Sequence, residues 1–157
     1  MSRSNKYFPI FVNLEEKEIV VVGAGTIAAR RIKTLLPFCR HITAVAPEAA
    51  ETIRELAESG SITWKKEAYA RETIRYADLV LACTDDPALN SEIYSVCKCL
   101  GIPVNVCSDR RKCDFYFPGI VNRDNIVVGI SAGGIDHRAA RRVREKIERL
   151  LEDEENE

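Results

Sequence analysis

The stretch Glu18-Ile19-Val20-Val21-Val22-Gly23-Ala24-Gly25-Thr26-Ile27-Ala28 decides the fold. A β-branched run ends on a glycine, and apolar residues at Ile27, Ile32, Leu35 and Leu36 then recur at helical spacing, so strand, glycine turn and helix follow one another. The turn reads GxGxxA. Its first glycine permits a tight reversal, its second lets the backbone approach a pyrophosphate, and the small third residue lets the helix pack against the strand. The helix start adds free N–H groups and the positive end of the dipole. Gly23, Gly25, Thr26, Ile27 and Ala28 are therefore the candidate coenzyme contacts. The same string also serves as a packing turn in doubly wound proteins that bind no nucleotide. A dinucleotide site usually carries an acid about 20 residues further on to take the ribose hydroxyls. Ala46-Pro47 stands there instead, and Glu48, the nearest acid, suits the first turn of its own helix.

Working outward, residues 42–46 form a second apolar run, 48–59 a helix stopped by Gly60, 62–64 a weak strand and 69–76 a short helix. Residues 79–83 are a fourth strand, 87–100 a helix closed by Gly101, and 104–106 a fifth strand. Strands apolar throughout and alternating with helices imply a parallel sheet covered on both faces, an α/β Rossmann-like doubly wound fold. After residue 112 the alternation stops. Residues 115–117 and 126–130 read as two strands bridged by a turn at 122–125, and a last helix runs from 136 to about 151. The expected organisation is a nucleotide-binding domain over 1–112, a small two-strand plus helix unit over 113–151, and a disordered acidic tail over 152–157.

The chain has 157 residues, 46% of them hydrophobic and 30% charged, with a net charge of -1. That profile fits one globular domain with a small appendage and excludes wholesale disorder. No apolar run approaches the ~18 to 20 residues of a bilayer span, and no apolar signal core follows the N-terminus. A cytoplasmic protein with no membrane partner is expected. Nucleic acid is also an unexpected partner, because such binders are normally basic overall. The six cysteines, Cys39, Cys83, Cys97, Cys99, Cys107 and Cys113, read as reduced structural thiols, and no ligand spacing for a metal is present.

The net charge hides an asymmetry. Residues 104–151 carry ten basic against six acidic side chains, while residues 1–103 balance. In the last helix Arg141 with Glu145, Arg144 with Glu148, and Glu145 with Arg149 have the spacing of surface pairs. His137, Arg138 and Arg142 are left over, and cations in a first turn oppose the helix dipole. That arrangement suggests a polyanionic ligand, and a solvated basic surface is the plainer alternative. Arg110-Arg111-Lys112 adds cations after the fifth strand, on the edge where doubly wound sheets bind ligands. Asp109 in the same loop has two readings, a base beside cations or a loop cap and ion pair.

Taken in order, Pro9-Ile10-Phe11, the glycine turn, Val45-Ala46-Pro47-Glu48, Ala82-Cys83-Thr84-Asp85-Asp86, Val104-Asn105-Val106, Cys113-Asp114-Phe115-Tyr116-Phe117-Pro118 and Ser131-Ala132-Gly133-Gly134 resemble the precorrin-2 dehydrogenase and sirohydrochlorin ferrochelatase family, which includes the N-terminal module of siroheme synthase. The resemblance implies NAD-dependent oxidation of precorrin-2 to sirohydrochlorin, with ferrous iron insertion in some members, and a homodimer built on the two late strands. It places the nucleotide on the glycine turn and beside Pro47, and Thr84 and Asp85 near the nicotinamide. Asn105, Ser108, Arg110, Ser131, Gly133, His137, Arg138 and Arg142 are the implied contacts to the polycarboxylate substrate. The family's string Asn-Val-x-Asp is here Asn105-Val106-Cys107-Ser108, so the catalytic carboxylate is assigned to Asp109, one step later. The family's Gly-Gly-x-Ser-Pro is Gly133-Gly134-Ile135-Asp136-His137, and further helices usual in the family do not follow. The alternatives are a nucleotide-sensing module without catalysis and a bifunctional enzyme that also inserts iron.

Overall fold

The computed structural model describes residues 7–133 and 135–154. The chain divides into two units, Asn13–Tyr116 and Met1–Val12 with Phe117–Glu157.

In the first unit five parallel strands are ordered β3-β2-β1-β4-β5. They are β1 (Glu18–Val22), β2 (His41–Val45), β3 (Thr63–Lys65), β4 (Leu79–Ala82) and β5 (Val104–Val106). The β-branched run of β1 is buried on both faces from Ile19 to Val22, as a central parallel strand requires. Val22 lies opposite Val45 on one side and Ala82 on the other, and Ala82 lies opposite Val106. Four strands therefore end level, and the loops after them share one edge of the sheet. The chain builds outward from β1 to β3 and then returns to the other side of β1, so the strand order reverses between β1 and β4. That reversal opens the crevice in which doubly wound proteins hold ligands.

The covering helices are α1 (Thr26–Leu35), α2 (Glu51–Glu58) and α3 (Pro87–Leu100). The last is bounded by its sequence: Asp86 accepts from the N–H groups of Ala88 and Leu89 at 2.8 and 3.2 Å, and Gly101 closes it at φ 69°. Ile93 and Cys97 of this helix are fully buried against Val80 and Val104.

Three local expectations are corrected. The helix expected over 69–76 is a single 3-10 turn, Arg71–Ile74. Helix α2 starts at Glu51 because the Ala50 N–H is held by the Ala24 carbonyl at 2.8 Å, which keeps the preceding loop extended. Glu48 thus precedes the helix, and its carboxylate lies 4.0 Å from Arg54. Residues 115–117 form no strand. Asp114 exchanges hydrogen bonds with Val104, the Phe115 carbonyl accepts from Asn105 Nδ2 at 2.8 Å, and Pro118 has no N–H to give a ladder.

In the second unit β6 (Gly119–Arg123) and β7 (Ile126–Ile130) pair antiparallel, with Val121 opposite Val128. They turn at Asp124, whose φ of 48° suits an aspartate. Helix α4 (His137–Glu154) packs on β6 and β7. The tail expected over 152–157 lies partly in α4 and otherwise outside the described residues.

Ile93→Ala removes a fully buried side chain at the centre of the first unit and is expected to cost about 3 kcal/mol. Urea unfolding should show a lower midpoint at unchanged slope.

Candidate functional site

The site starts from a contact that admits no side chain. Gly23 has φ 106°, and a Cβ there would lie 2.5 Å from the Cys83 carbonyl oxygen and 3.0 Å from the Thr84 nitrogen. The backbone of the β1 turn thus rests directly on the backbone leaving β4, at the point where the strand order reverses. The Gly23 N–H is meanwhile donated to the Val45 carbonyl at 2.9 Å. Two residues later the geometry is opposite: a Cβ on Gly25 would meet nothing within 4 Å. Gly25 is the N-cap of α1, no side chain caps that helix, and its first turn carries no acid. The backbone is open, donor-rich and at the positive end of a dipole, as a pyrophosphate requires.

Behind this turn Ala28 is fully buried, while Thr26 and Ile27 are exposed at the helix start. A groove of about 490 Å³ runs beside it, lined by Thr26, Ala29, Arg30, Lys33, Thr34 and Thr52. Pro47 is exposed on the neighbouring loop, and the Trp64 indole N–H holds the Ala46 carbonyl at 3.0 Å. The glycine turn, an open helix start and an apolar β2 loop together fit a nicotinamide dinucleotide.

Thr84 is fixed by a residue that the sequence reading missed. Asn90, fully buried on α3, accepts from the Thr84 N–H at 3.2 Å and hydroxyl at 2.7 Å, and donates to the Thr84 carbonyl at 3.0 Å and Ser108 Oγ at 3.1 Å. One amide thereby ties the loop after β4 to the loop after β5. Its signal was available: with Ile93 and Cys97 it occupies the buried face of α3, where a polar side chain has to be paired. Asp85, next to Thr84, is exposed.

Asn105 is buried, with 4% of its surface exposed, and its amide donates to the Phe115 carbonyl. It organises the loop from within, while Ser108 is exposed above it. Asp109 caps a 3-10 turn, Arg110–Lys112, by accepting from the Arg111 N–H at 3.0 Å. It also meets Arg111 Nε and an Arg111 terminal nitrogen, both at 3.1 Å. Those hydrogen bonds hold its carboxyl below the usual carboxylate range, so it is ionised and a weak proton acceptor. The basic triplet diverges: Lys112 donates to Ser91 Oγ at 2.7 Å, and the Arg110 guanidinium stacks 5.0 Å from the Tyr116 ring centroid.

In the second unit Ser131 Oγ accepts from the Gly133 N–H at 3.2 Å. Asp136 accepts from the Ala139 N–H at 2.8 Å, and His137 and Arg138 open α4 with exposed side chains. Arg141 pairs with Glu145, and Arg144 with Glu148. Arg149 donates to the Glu145 carbonyl at 3.2 Å, and its charge also acts on the Glu145 carboxylate. Among the described residues Arg138 and Arg142, one helical turn apart and both exposed, carry no ion pair. No group of His, Cys, Asp and Glu able to hold a metal ion occurs among the described residues, and no helix there is long and apolar enough to cross a membrane.

Residues 10–119 match an NAD(P)-binding family model, and the chain belongs to that family. It is also 39% identical over 145 residues to siroheme synthase 1 of Serratia proteamaculans, covering 92% of this chain and 30% of that protein. It is 36% identical over 146 residues to siroheme synthase of Nitrosococcus oceani, covering 93% and 31%. The chain thus spans about a third of the length of these curated relatives. Among solved structures, SirC, precorrin-2 dehydrogenase, superposes with a TM-score of 0.81 at 26% identity, over 90% of this chain and 69% of that one. The resemblance drawn from the sequence, and the Rossmann-like fold with its strand pair and helix, are borne out.

Gly23→Ala drives a Cβ into the Cys83 carbonyl at a φ that L-residues avoid. It is expected to cost about 3 kcal/mol in thermal or urea unfolding, with Gly25→Ala as the unaffected control.

Proposed function

We propose that this chain is an NAD-dependent dehydrogenase that converts precorrin-2 to sirohydrochlorin for siroheme synthesis. The single observation that carries this reading is the open, uncapped start of α1 at Gly25, set at the strand-order reversal against the loop of Thr84. The names of the siroheme synthases and of SirC, precorrin-2 dehydrogenase, support the substrate.

The backbone N–H groups of the α1 start, with Gly23 keeping the turn tight and Ala28 letting the helix sit close, hold the coenzyme diphosphate. Pro47 flanks the adenosine side. Thr84, locked by Asn90, and Asp85 border the nicotinamide side. The bound coenzyme supplies a hydride acceptor at its ring C4. The protein's part is to hold the macrocycle so that a C–H hydride faces that carbon while a proton leaves to solvent or to a nearby base.

Precorrin-2 carries eight carboxylates, and unpaired guanidinium groups are suited to grip them. In the second unit Arg138 and Arg142, with His137 and the backbone around Ser131 and Gly133, are assigned that task; in the first unit Ser108 and Arg110 on the loop after β5 are assigned as substrate contacts, and the buried Asn105 supports that loop from within. Asp109 is assigned as the catalytic carboxylate. Because Arg111 keeps it ionised, it serves by orienting charge, and it accepts a proton only when Arg111 swings away. A cytoplasmic homodimer joined through β6 and β7 completes the proposal, and a bifunctional enzyme that also inserts ferrous iron is the alternative.

The test is an anaerobic assay of the protein with precorrin-2 and NAD or NADP in parallel, followed by ferrous iron. NADH absorbance should rise together with the sirohydrochlorin spectrum. Coenzyme binding without turnover would instead make the chain a sensing module. Asp109→Ala should lower kcat about a hundredfold, and unchanged turnover would leave the carboxylate as a loop cap.

Gly25→Ala fits the fold without a clash, yet its methyl occupies the space over the helix start. Calorimetric titration should show NAD affinity reduced roughly tenfold or more, with the unfolding midpoint unchanged.

A further inference from the structure

Cys83 and Cys107 have no part in the reading above, yet their placement is specific. Ala82 and Val106 are register partners in the parallel pair β4 and β5, and the Cys107 N–H is donated to the Ala82 carbonyl at 3.0 Å. The two cysteines are the next residues on each strand and so leave the sheet on the same face. Neighbouring strands lie about 4.8 Å apart, inside the ~4.4 to 6.8 Å range of Cα separations that a disulfide spans. The Cys107 thiol donates to the Thr84 carbonyl at 3.9 Å, on the residue that follows Cys83, and lies beside the Cys83 side chain. Cys83 is buried and Cys107 half-buried, which makes Cys107 the accessible member.

The charges around them favour reaction at Cys107. The hydrogen bond from Cys83 pulls its thiol below the usual range, and Arg31 of α1 acts in the same direction. Cys83 is instead held above the ordinary thiol range by its neighbour Cys107 and by burial, with Arg31 and Arg30 acting the other way, so it keeps its proton. Cys113 is nearby but occupied, accepting from the Val106 N–H at 3.2 Å and donating to the Val106 carbonyl at 3.3 Å. It leaves the pair to react with each other.

We propose that Cys83 and Cys107 form a reversible disulfide across the ends of β4 and β5, and that its formation weakens coenzyme binding at the adjacent glycine turn. The oxidant is hydrogen peroxide. The Cys107 thiolate attacks the terminal oxygen, the O–O bond breaks, and hydroxide leaves as Cys107 becomes a sulfenic acid. The Cys83 sulfur then attacks the Cys107 sulfur, the S–O bond breaks, and its oxygen leaves as water with the Cys83 proton. Two sulfurs are each oxidised by one electron, and the peroxide is reduced to two waters. The link reaches the coenzyme because the carbonyl of Cys83 is the atom on which Gly23 rests, with no room for a Cβ between them. Closing the disulfide turns the Cys83 backbone, and the turn follows. By linkage, bound coenzyme disfavours the disulfide at equilibrium to the same degree.

The second half of this proposal rests on the coenzyme reading above, so the test separates the two. The full chain is treated with hydrogen peroxide, alkylated, digested without reductant and mapped by mass spectrometry, and its NAD affinity is measured reduced, oxidised and re-reduced. A peptide linking Cys83 to Cys107, an affinity lowered about tenfold and its return with dithiothreitol are expected. Cys107→Ser and Cys107→Ala should keep the reduced affinity before and after peroxide. Absence of the linked peptide overturns the proposal, as does a link that leaves affinity unchanged or an equal loss of affinity in the Cys107 variants. Failure of the reduced chain to bind NAD overturns the coenzyme reading and the second half with it, while the peptide map still decides the pair's chemistry.

Discussion

The approach of Gly23 to the Cys83 carbonyl is the constraint on which the first unit depends. A parallel sheet can end its strands level and still leave the following loops splayed. Here the β1 turn is pressed onto the start of the β4 loop at backbone contact distance, closer than any side chain permits. The donor-bearing start of α1 and the Thr84 loop therefore stand on the two sides of one crevice. The Asn90 amide then carries the constraint to the loop after β5, since its bonds join the Thr84 backbone and hydroxyl to Ser108. Three loops from three strands behave as one support. This rigidity is what a redox ring needs, because hydride transfer tolerates little misplacement of donor and acceptor.

Much of this was legible in the residues because the informative signals were local. The glycine turn, the β-branched strands, the Asp86-Pro87 helix start and the Gly101 stop each act within a few residues, and the structure follows them. The errors arose where distant partners decide local conformation. Residues 115–117 look like a strand, since aromatic residues favour extended pairing, but Asp114 and Phe115 are claimed by Val104 and Asn105 on β5. Glu48 looks like a first-turn acid until the Ala24 carbonyl takes the Ala50 N–H and delays the helix. Nothing in the local sequence reports either capture.

The site was legible to a different degree on its two sides. The coenzyme side rests on backbone geometry, which glycine positions reveal directly. The proposed substrate contacts rest on charged side chains, whose partners the sequence only suggests. Of the cations in the triplet, Arg111 is spent on Asp109 and Lys112 on Ser91, so a count of charges overstated what that loop offers a ligand. On α4 the converse held: subtracting the i,i+4 pairs left His137, Arg138 and Arg142, and all three are exposed in the structure. Charge bookkeeping succeeds on a regular helix, where spacing fixes the partners, and fails in a short loop, where capping and stacking compete for every cation.

The thiols show how one contact serves structure and chemistry together. As small apolar residues, Cys39, Cys83 and Cys97 fill the core in the manner the composition suggests. Burial alone makes a thiol inert, and it raises Cys39 and Cys97 above their ordinary range. Cys107 differs because its neighbour can donate a hydrogen bond to the thiolate and because the Arg31 charge of α1 acts on it. The first feature follows from the level ending of β4 and β5. A sheet built to present a coenzyme crevice at that edge thus also places two sulfurs side by side behind it. Any change in one is felt through the shared backbone of Cys83.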